Sequence, residues 1–416
     1  MNRVKLPEDG ELIKIEQGVW KVPSRPIIAY IEGDGIGPEV VKPTIEIVNE
    51  AVQLCYGSSR EIKWVKLYAG DEAEKLYGTR LPDETIKMLE KIRVLLKGPL
   101  YTPPGGGWRS INVYLRQYFD LYANIRPVKY FEGLPSPLRN PQGIDMVIFR
   151  ENTDDLYVGI EWPWNSEEAK KVREFLKKEF NIEIPEDSGI GIKPMSRYKT
   201  IRIARLAIRY AINTGRKFVT VVHKGNIMKY TEGAFREWVY EVALTEFKDF
   251  CITEKELYEK YGGNAPEGKI VVNDRIMDNM LQQIILNPQQ FHVIICPNVN
   301  GDYLSDAAAA LVGGVSVAPS ANIGDTAALF EPVHGTAPDI AGKGIANPTA
   351  TILSACLMLE YMGWHEAANL IRAAIQEVIR NRKVTPDLAR LMGLSTYLRT
   401  EEFKREVIET MHSLKH

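Results

Sequence analysis

The apolar positions of this 416-residue chain switch period repeatedly from one end to the other. Residues 26–31 form a short β-branched run that predicts a strand, and Gly33-Asp34-Gly35-Ile36-Gly37-Pro38 reads as the turn after it. Val41, Ile45, Val48, Val52 and Cys55 then recur at steps of four and three, which gives a helix one apolar face. Pro38 falls in that helix's first turn, where its missing N–H costs nothing. The same alternation predicts strands over 93–97, 145–151, 217–223 and 292–296, and helices over 231–247, 301–312, 348–362 and 365–380. Strands alternating with helices define an α/β class with crossover connections.

Two stretches break the rhythm. Residues 162–185 are charged and amphipathic and run into the Gly-Ile alternation of 189–194, an excursion from the main body. Residues 249–268 are polar, contain Gly262-Gly263-Asn264 and read as a surface insertion. Composition changes this picture little. With 52 Lys and Arg against 54 Asp and Glu there is no electrostatic case for nucleic acid. No apolar run approaches the roughly 20 residues of a membrane helix, and the first eighteen residues are too charged for a secretory apolar core. Cys55, Cys251, Cys296 and Cys356 form no CxxC pair, so neither a disulfide framework nor a structural zinc site is indicated. The expectation is a soluble, cytoplasmic enzyme of two or three domain-sized units.

Several segments carry candidate chemistry, each with a plainer alternative. Gly33-Asp34-Gly35-Ile36-Gly37 lies between strand and helix, yet its spacing is GxGxG and not GxGxxG, so a tight turn with positive φ competes with a phosphate loop. The glycine- and proline-rich 97–109 segment delivers Ser110, Asn112 and Arg116 at the start of a helix, suited to an anion or to an ordinary cap. Arg126 and Arg150 close apolar runs, where α/β proteins place ligands; with Arg116 they could clamp a polyanion or make surface ion pairs. Asp302 and Asp306 are four residues apart at a helix start, and Asp274 and Asp278 share that spacing. Carboxylates without a His or Cys cluster favour a hard cation, Mg²⁺ or Mn²⁺, although Asp302 could equally cap the helix. Lys224 follows a strand and could move protons or merely be solvated. Tyr157 and His334 are, taken alone, indistinguishable from packed side chains.

In order along the chain, IEGDGIGPEV, KGPL, GGGWRSINVYLR, NIRPVKY, FRENTDDLYVGIEW, HKGNIMKYTEGAF, NVNGDYLSDAAAA and HGTAPDIAGKGIANP resemble the isocitrate/isopropylmalate dehydrogenase family. The resemblance runs from about Ile27 to the last helices and is closest to the homodimeric bacterial and archaeal isocitrate dehydrogenases. It implies a non-Rossmann α/β fold with a large discontinuous domain (1–122 and 313–416), a small domain (123–154 and 197–312) and a clasp (155–196) interlocking two subunits. It implies that Arg116, Arg126 and Arg150 hold the substrate's α- and β-carboxylates, and that Ser110 and Asn112 meet the γ-carboxylate of isocitrate. Tyr157 and Lys224 are the implied proton-transfer pair, with Lys224 from the partner subunit. Asp302, Asp306 and the partner's Asp278 are the implied Mg²⁺ or Mn²⁺ ligands. Leu100, Thr102, Asn226, His334, Gly335, Thr336, Ala337, Asp339, Ile340, Asn347 and Arg390 are the implied cofactor contacts.

The cofactor expectation departs from the NADP-using bacterial pattern. Those enzymes carry Lys-Tyr after HGTAP and a later Tyr and Arg; this chain has Asp339-Ile340, Pro386 and Arg390. A carboxylate accepts hydrogen bonds from ribose hydroxyls and repels a 2′-phosphate, which predicts NAD over NADP. Homoisocitrate or isopropylmalate remains an alternative substrate. A non-redox metal-dependent lyase or a regulatory subunit is the alternative of another class.

Overall fold

The computed structural model describes residues 4–104 and 109–415; Gly105-Gly106-Gly107-Trp108, part of the shaped loop expected above, lies outside the described residues. The chain divides into two compact units. The first holds the residues up to Phe149, Leu281–Ile294 and Tyr303 onward; the second holds Arg150–Met280 and Ile295–Asp302.

In the first unit, strands lie side by side in the order Asp145–Glu151 (its last two residues belonging to the second unit), Ala123–Lys129, Pro319–Ile323, Ala328–Pro332, Val94–Lys97, Ile27–Ile31 and Lys63–Lys66. The last four pair in parallel, whereas Pro319–Ile323 runs antiparallel to both neighbours. The sheet is therefore mixed. Ile27, Ala29, Ile31, Leu95 and Leu329 share one buried cluster with Ile86, Leu89 and Leu115. The helix Thr349–Tyr361 is buried on nearly every side, so it is apolar all round and shows no amphipathic stripe. Pro38 does occupy the first turn of the helix Gly37–Tyr56.

In the second unit, Phe218–His223, Ile270–Ile276 and Cys251–Thr253 form a parallel array. Helices Arg197–Asn213 and Glu232–Thr245 pack on each other and on Phe218–His223. The 162–194 excursion is a helix, Glu167–Phe180, between the antiparallel strands Glu161–Trp162 and Ile190–Gly191.

Two expectations are refined by packing. The 249–268 stretch is more than a surface insertion: Cys251–Thr253 adds an edge strand, and Thr253 and Glu256 form a reciprocal capping box for the helix Glu254–Tyr261. The helix expected from 301 begins at Asn298, so Asp302 lies inside it and is not its cap. No helix among the described residues is long and apolar enough to cross a membrane.

Candidate active site

The glycine-rich turn at 33–37 is built for close backbone approach. Gly33 has φ +84° and Gly35 φ +59°, and a Cβ on either would fall 2.2 Å from the Pro99 carbonyl oxygen or 2.0 Å from that of Thr336. Asp34 is buried and accepts hydrogen bonds from the Asp71 and Tyr101 N–H groups and from Arg80. The turn thus organises neighbouring loops and is spoken for structurally.

Ser110 caps the helix Ile111–Tyr118, its hydroxyl accepting the Val113 N–H at 3.4 Å and the Thr102 hydroxyl at 3.1 Å. Asn112, the second residue of that helix, donates to the Leu100 carbonyl. Arg116, in its last turn, donates to Glu331 at 2.9 Å, while its buried Nε has no hydrogen-bond partner among the described residues. That unused donor is what an anionic ligand needs.

Glu331 is a residue the sequence patterns passed over. It accepts from Lys97 at 2.5 Å, from Arg116 and from the Asn322 amide. Asn322 in turn accepts from Asn124, whose carbonyl oxygen receives Arg126 Nε at 3.0 Å. Burial would push the Glu331 carboxyl up, but the Lys97 ammonium and Arg116 guanidinium outweigh it and hold it well below the usual carboxylate range. Arg126 also donates to Ser305 and reaches Asp306 at 3.5 Å. One buried polar chain therefore links two of the three candidate clamp arginines.

Arg150, in the second unit, is 1% exposed although it is an arginine. It donates to Asn298 at 2.8 Å and to Asp302 at 2.5 Å, and its guanidinium lies 4.8 Å from the Tyr157 ring centroid. The other Asp302 oxygen accepts the Tyr157 hydroxyl at 2.5 Å. Burial raises the Tyr157 phenol above its ordinary value, with Asp302 adding to the rise and Arg150 opposing it, so the phenol is protonated at neutral pH. Lys224 pairs with Asp278 directly after the strand Phe218–His223.

Asp274 does not share a helical face with Asp278. It sits on the strand Ile270–Ile276, bound to His223, Tyr240 and Arg236, which together hold its carboxyl below the usual range against burial. The i, i+4 spacing there is a strand-to-helix passage.

Asp302 and Asp306 stand one turn apart on the helix Asn298–Ala310, with side chains 32% and 58% exposed. Among the described residues no three His, Cys, Asp or Glu side chains gather within the chain into a metal-competent group. The donors nonetheless fit Mg²⁺ or Mn²⁺, which take one or two protein carboxylates together with substrate oxygens.

Of the candidate cofactor residues, His334 to Asn347 line one loop of the first unit. His334 Nδ1 lies 2.9 Å from the Gly335 oxygen, and its buried Nε2 has no partner among the described residues. Burial holds the imidazole below its ordinary pKa and hence neutral. An orphaned neutral nitrogen beside Gly335, where a Cβ would meet nothing, fits a flat uncharged ligand group. The Thr336 carbonyl accepts the Ile36 N–H, Ala337 has φ +41°, and Ile340 packs against the Val40–Val41 cluster. The Asn347 side chain is already committed to Asp387 and the Thr349 N–H. Leu100 is buried, Thr102 donates to Ser110, and Asn226, Asp339 and Arg390 are exposed.

A protonated tyrosine, a carboxylate and an arginine in mutual contact, with a lysine–aspartate pair and cation-ready carboxylates, define acid–base equipment of an enzyme on an α/β scaffold. The profile of the isocitrate/isopropylmalate dehydrogenase family matches residues 27–407, and the chain belongs to that family. It is an oxidoreductase. Relatives from Archaeoglobus fulgidus and Caldococcus noboribetus are 56% and 53% identical, covering 99% and 98% of this chain and 99% and 95% of their own. A crystal structure of isocitrate dehydrogenase from Methylococcus capsulatus superposes with a TM-score of 0.76 at 38% identity, over 93% of this chain and 99% of that one.

The two relatives are named isocitrate dehydrogenase [NADP], as are others at 47–49% identity. This overturns the expectation of NAD. The expectation of NAD rests on repulsion between the Asp339 carboxylate and a 2′-phosphate. Asp339 is in fact exposed on the short turn Pro338–Ile340. In water the repulsion at 4 Å is about 1 kcal/mol, against about 4 kcal/mol at an effective dielectric of 20. An exposed side chain can also turn away.

Proposed function

We propose that the protein oxidises isocitrate to 2-oxoglutarate and CO₂ with reduction of NADP, assisted by Mg²⁺ or Mn²⁺, as a cytoplasmic homodimer. The observation that carries this reading is the Tyr157–Asp302–Arg150 contact, in a chain whose full-length relatives bear that activity in their names. Arg116, Arg126 and Arg150 bind carboxylates through paired N–H···O contacts, and Ser110 and Asn112 meet the γ-carboxylate. Burying a carboxylate without such donors is expensive, so polar groups there select a tricarboxylate over an alkyl-bearing substrate.

The cation, held by Asp302, Asp306 and the Asp278 of a second copy, would supply Lewis-acid polarisation of the substrate's oxygens, and NADP would accept the hydride. Tyr157, kept protonated by burial and by Asp302, delivers a proton to C3 once CO₂ has left. Lys224 of the second copy then restores it. The loop from His334 to Asn347, with Leu100, Thr102, Asn226 and Arg390, holds the cofactor. The segment 155–196 is a clasp between copies, a role supported by exposed Trp164, Phe175, Phe180 and Ile182. On this reading 1–122 with 313–416 form the large domain, and 123–154 with 197–312 the small one.

The test is an assay of reduced nicotinamide with isocitrate and Mg²⁺, run with NADP and NAD in parallel and repeated with homoisocitrate and isopropylmalate. Turnover of isocitrate with preference for NADP is expected. Preference for another substrate, or no cofactor reduction at all, would refute the proposal.

A further inference from the structure

In the second unit, a buried ionic group joins the segments that carry Tyr157, Lys224 and Asp302, and it contains none of the residues assigned above. Lys193 lies 2.6 Å from Asp155 Oδ1 and 2.8 Å from Glu232 Oε1. The Asp155 and Glu232 side chains are 0% and 1% exposed. Asp155 opens the short turn Asp155–Val158 that bears Tyr157. Its φ is +70°, a left-handed conformation that a non-glycine residue keeps only when its surroundings impose it.

The carboxylate oxygens are all used. Asp155 Oδ1 also accepts the Leu156 N–H at 2.8 Å, and Oδ2 accepts the Val299 N–H at 3.0 Å from the first turn of the Asp302 helix. Glu232 Oε2 accepts the Lys224 N–H at 2.5 Å and the Asn300 amide at 2.8 Å. Each carboxylate therefore grips one proton-transfer segment and the Asp302 helix, and a single ammonium binds the two carboxylates together.

We propose that Lys193 is a positioning residue: through Asp155 and Glu232 it sets the placement of Tyr157, of the Lys224 backbone and of the Asp302 helix. The inference rests on the proton-transfer roles proposed above. If Lys224 serves the site of a second copy, this one group adjusts contributions to two active sites at once.

The test compares full-length Lys193→Met, Lys193→Arg and the charge-neutral triple Lys193→Met/Asp155→Asn/Glu232→Gln. The readouts are kcat and KM for isocitrate, solvent exchange of the C3 proton of 2-oxoglutarate by NMR, and the thermal midpoint. Lys193→Met should lower kcat and C3 exchange together by about 10²-fold, because small misplacements of reacting groups are that costly, with KM changed by less than about threefold. Lys193→Arg should restore part of both rates. The triple variant, free of uncompensated buried carboxylates, should recover the midpoint but not the rates. A purely structural lysine would lower the midpoint and leave kcat and exchange per folded molecule at wild-type values. That result in Lys193→Met, or in the triple variant if Lys193→Met does not fold, overturns the inference alone. A wild-type protein inactive on isocitrate overturns the functional reading and this inference with it.

Discussion

Glu331 in the first unit and Lys193 in the second each centre a buried ionic node, and the two nodes have opposite stoichiometry. In the first, a single carboxylate, Glu331, holds two cations, Lys97 and Arg116. In the second, a single cation, Lys193, holds two carboxylates, Asp155 and Glu232. The Glu331 node keeps an excess positive charge and an unused Arg116 donor, which suits a polyanionic substrate. The excess negative charge of the Lys193 node is absorbed by backbone N–H groups of Leu156, Lys224 and Val299. On the proposed reading, one node presents charge to a ligand, whereas the other uses its charge to fix backbone. A buried ion pair is weak evidence of stability in itself; its surplus sign and its remaining partners indicate what it is for.

The largest expected effect lies on the second side of this comparison. Tyr157→Phe should lower kcat by about 10²–10⁴-fold, the range for losing a general acid, with little change in KM for isocitrate. A variant with wild-type kcat in steady-state assays would remove Tyr157 from the chemistry, and with it one of the three elements that the Lys193 node is proposed to place. On the first side, Glu331→Gln leaves Lys97 and Arg116 uncompensated and should destabilise folding by about 3–5 kcal/mol in urea titrations at neutral pH. The Glu331 carboxyl is depressed in the folded state, so its stabilisation is complete above the unfolded value near ~4.3 and lost as pH falls through the folded value. The gap between wild type and variant should therefore shrink in acid, and a gap independent of pH would contradict the charge assignment.

A smaller effect tests how closely Arg150 is seated. A Cβ on Gly301 would fall 2.7 Å from Arg150 Cγ, which is not the movable end of the side chain. Gly301→Ala should displace the guanidinium and raise the isocitrate KM by roughly 10-fold. An unchanged KM would show that Arg150 does not bind substrate. The smallest effect belongs to neither node. Thr253→Ala removes the capping box of Glu254–Tyr261 and should cost about 1 kcal/mol in a denaturant titration with turnover intact. It calibrates an ordinary local loss against the two nodes.

Much of the candidate site was legible in the sequence because its motifs are long and contiguous. Arg126 and Arg150 stood out by closing apolar runs. Lys97 after Val94-Leu-Leu and Glu331 after Leu329-Phe330 carry the same signal and were overlooked, since an isolated charge at a strand end resembles a solvated one. The shared spacing of Asp274 and Asp278 is the converse case: the chain leaves a strand between them, so four residues there do not make one helical face. The cofactor reading from Asp339 misjudged exposure, which no local pattern reports.

The chain by itself determined the period of its elements, the α/β class and the identity of the chemically able side chains, because these depend on neighbours a few residues away. Only the tertiary structure decided which charges are buried and paired. Asp155 meets Lys193 across 38 residues, Glu232 meets Asn300 across 68, and Arg116 meets Glu331 across 215. Dielectric environment and charge compensation are properties of such distant encounters. They turn a lysine in a glycine-rich stretch into the tether of an acid–base site.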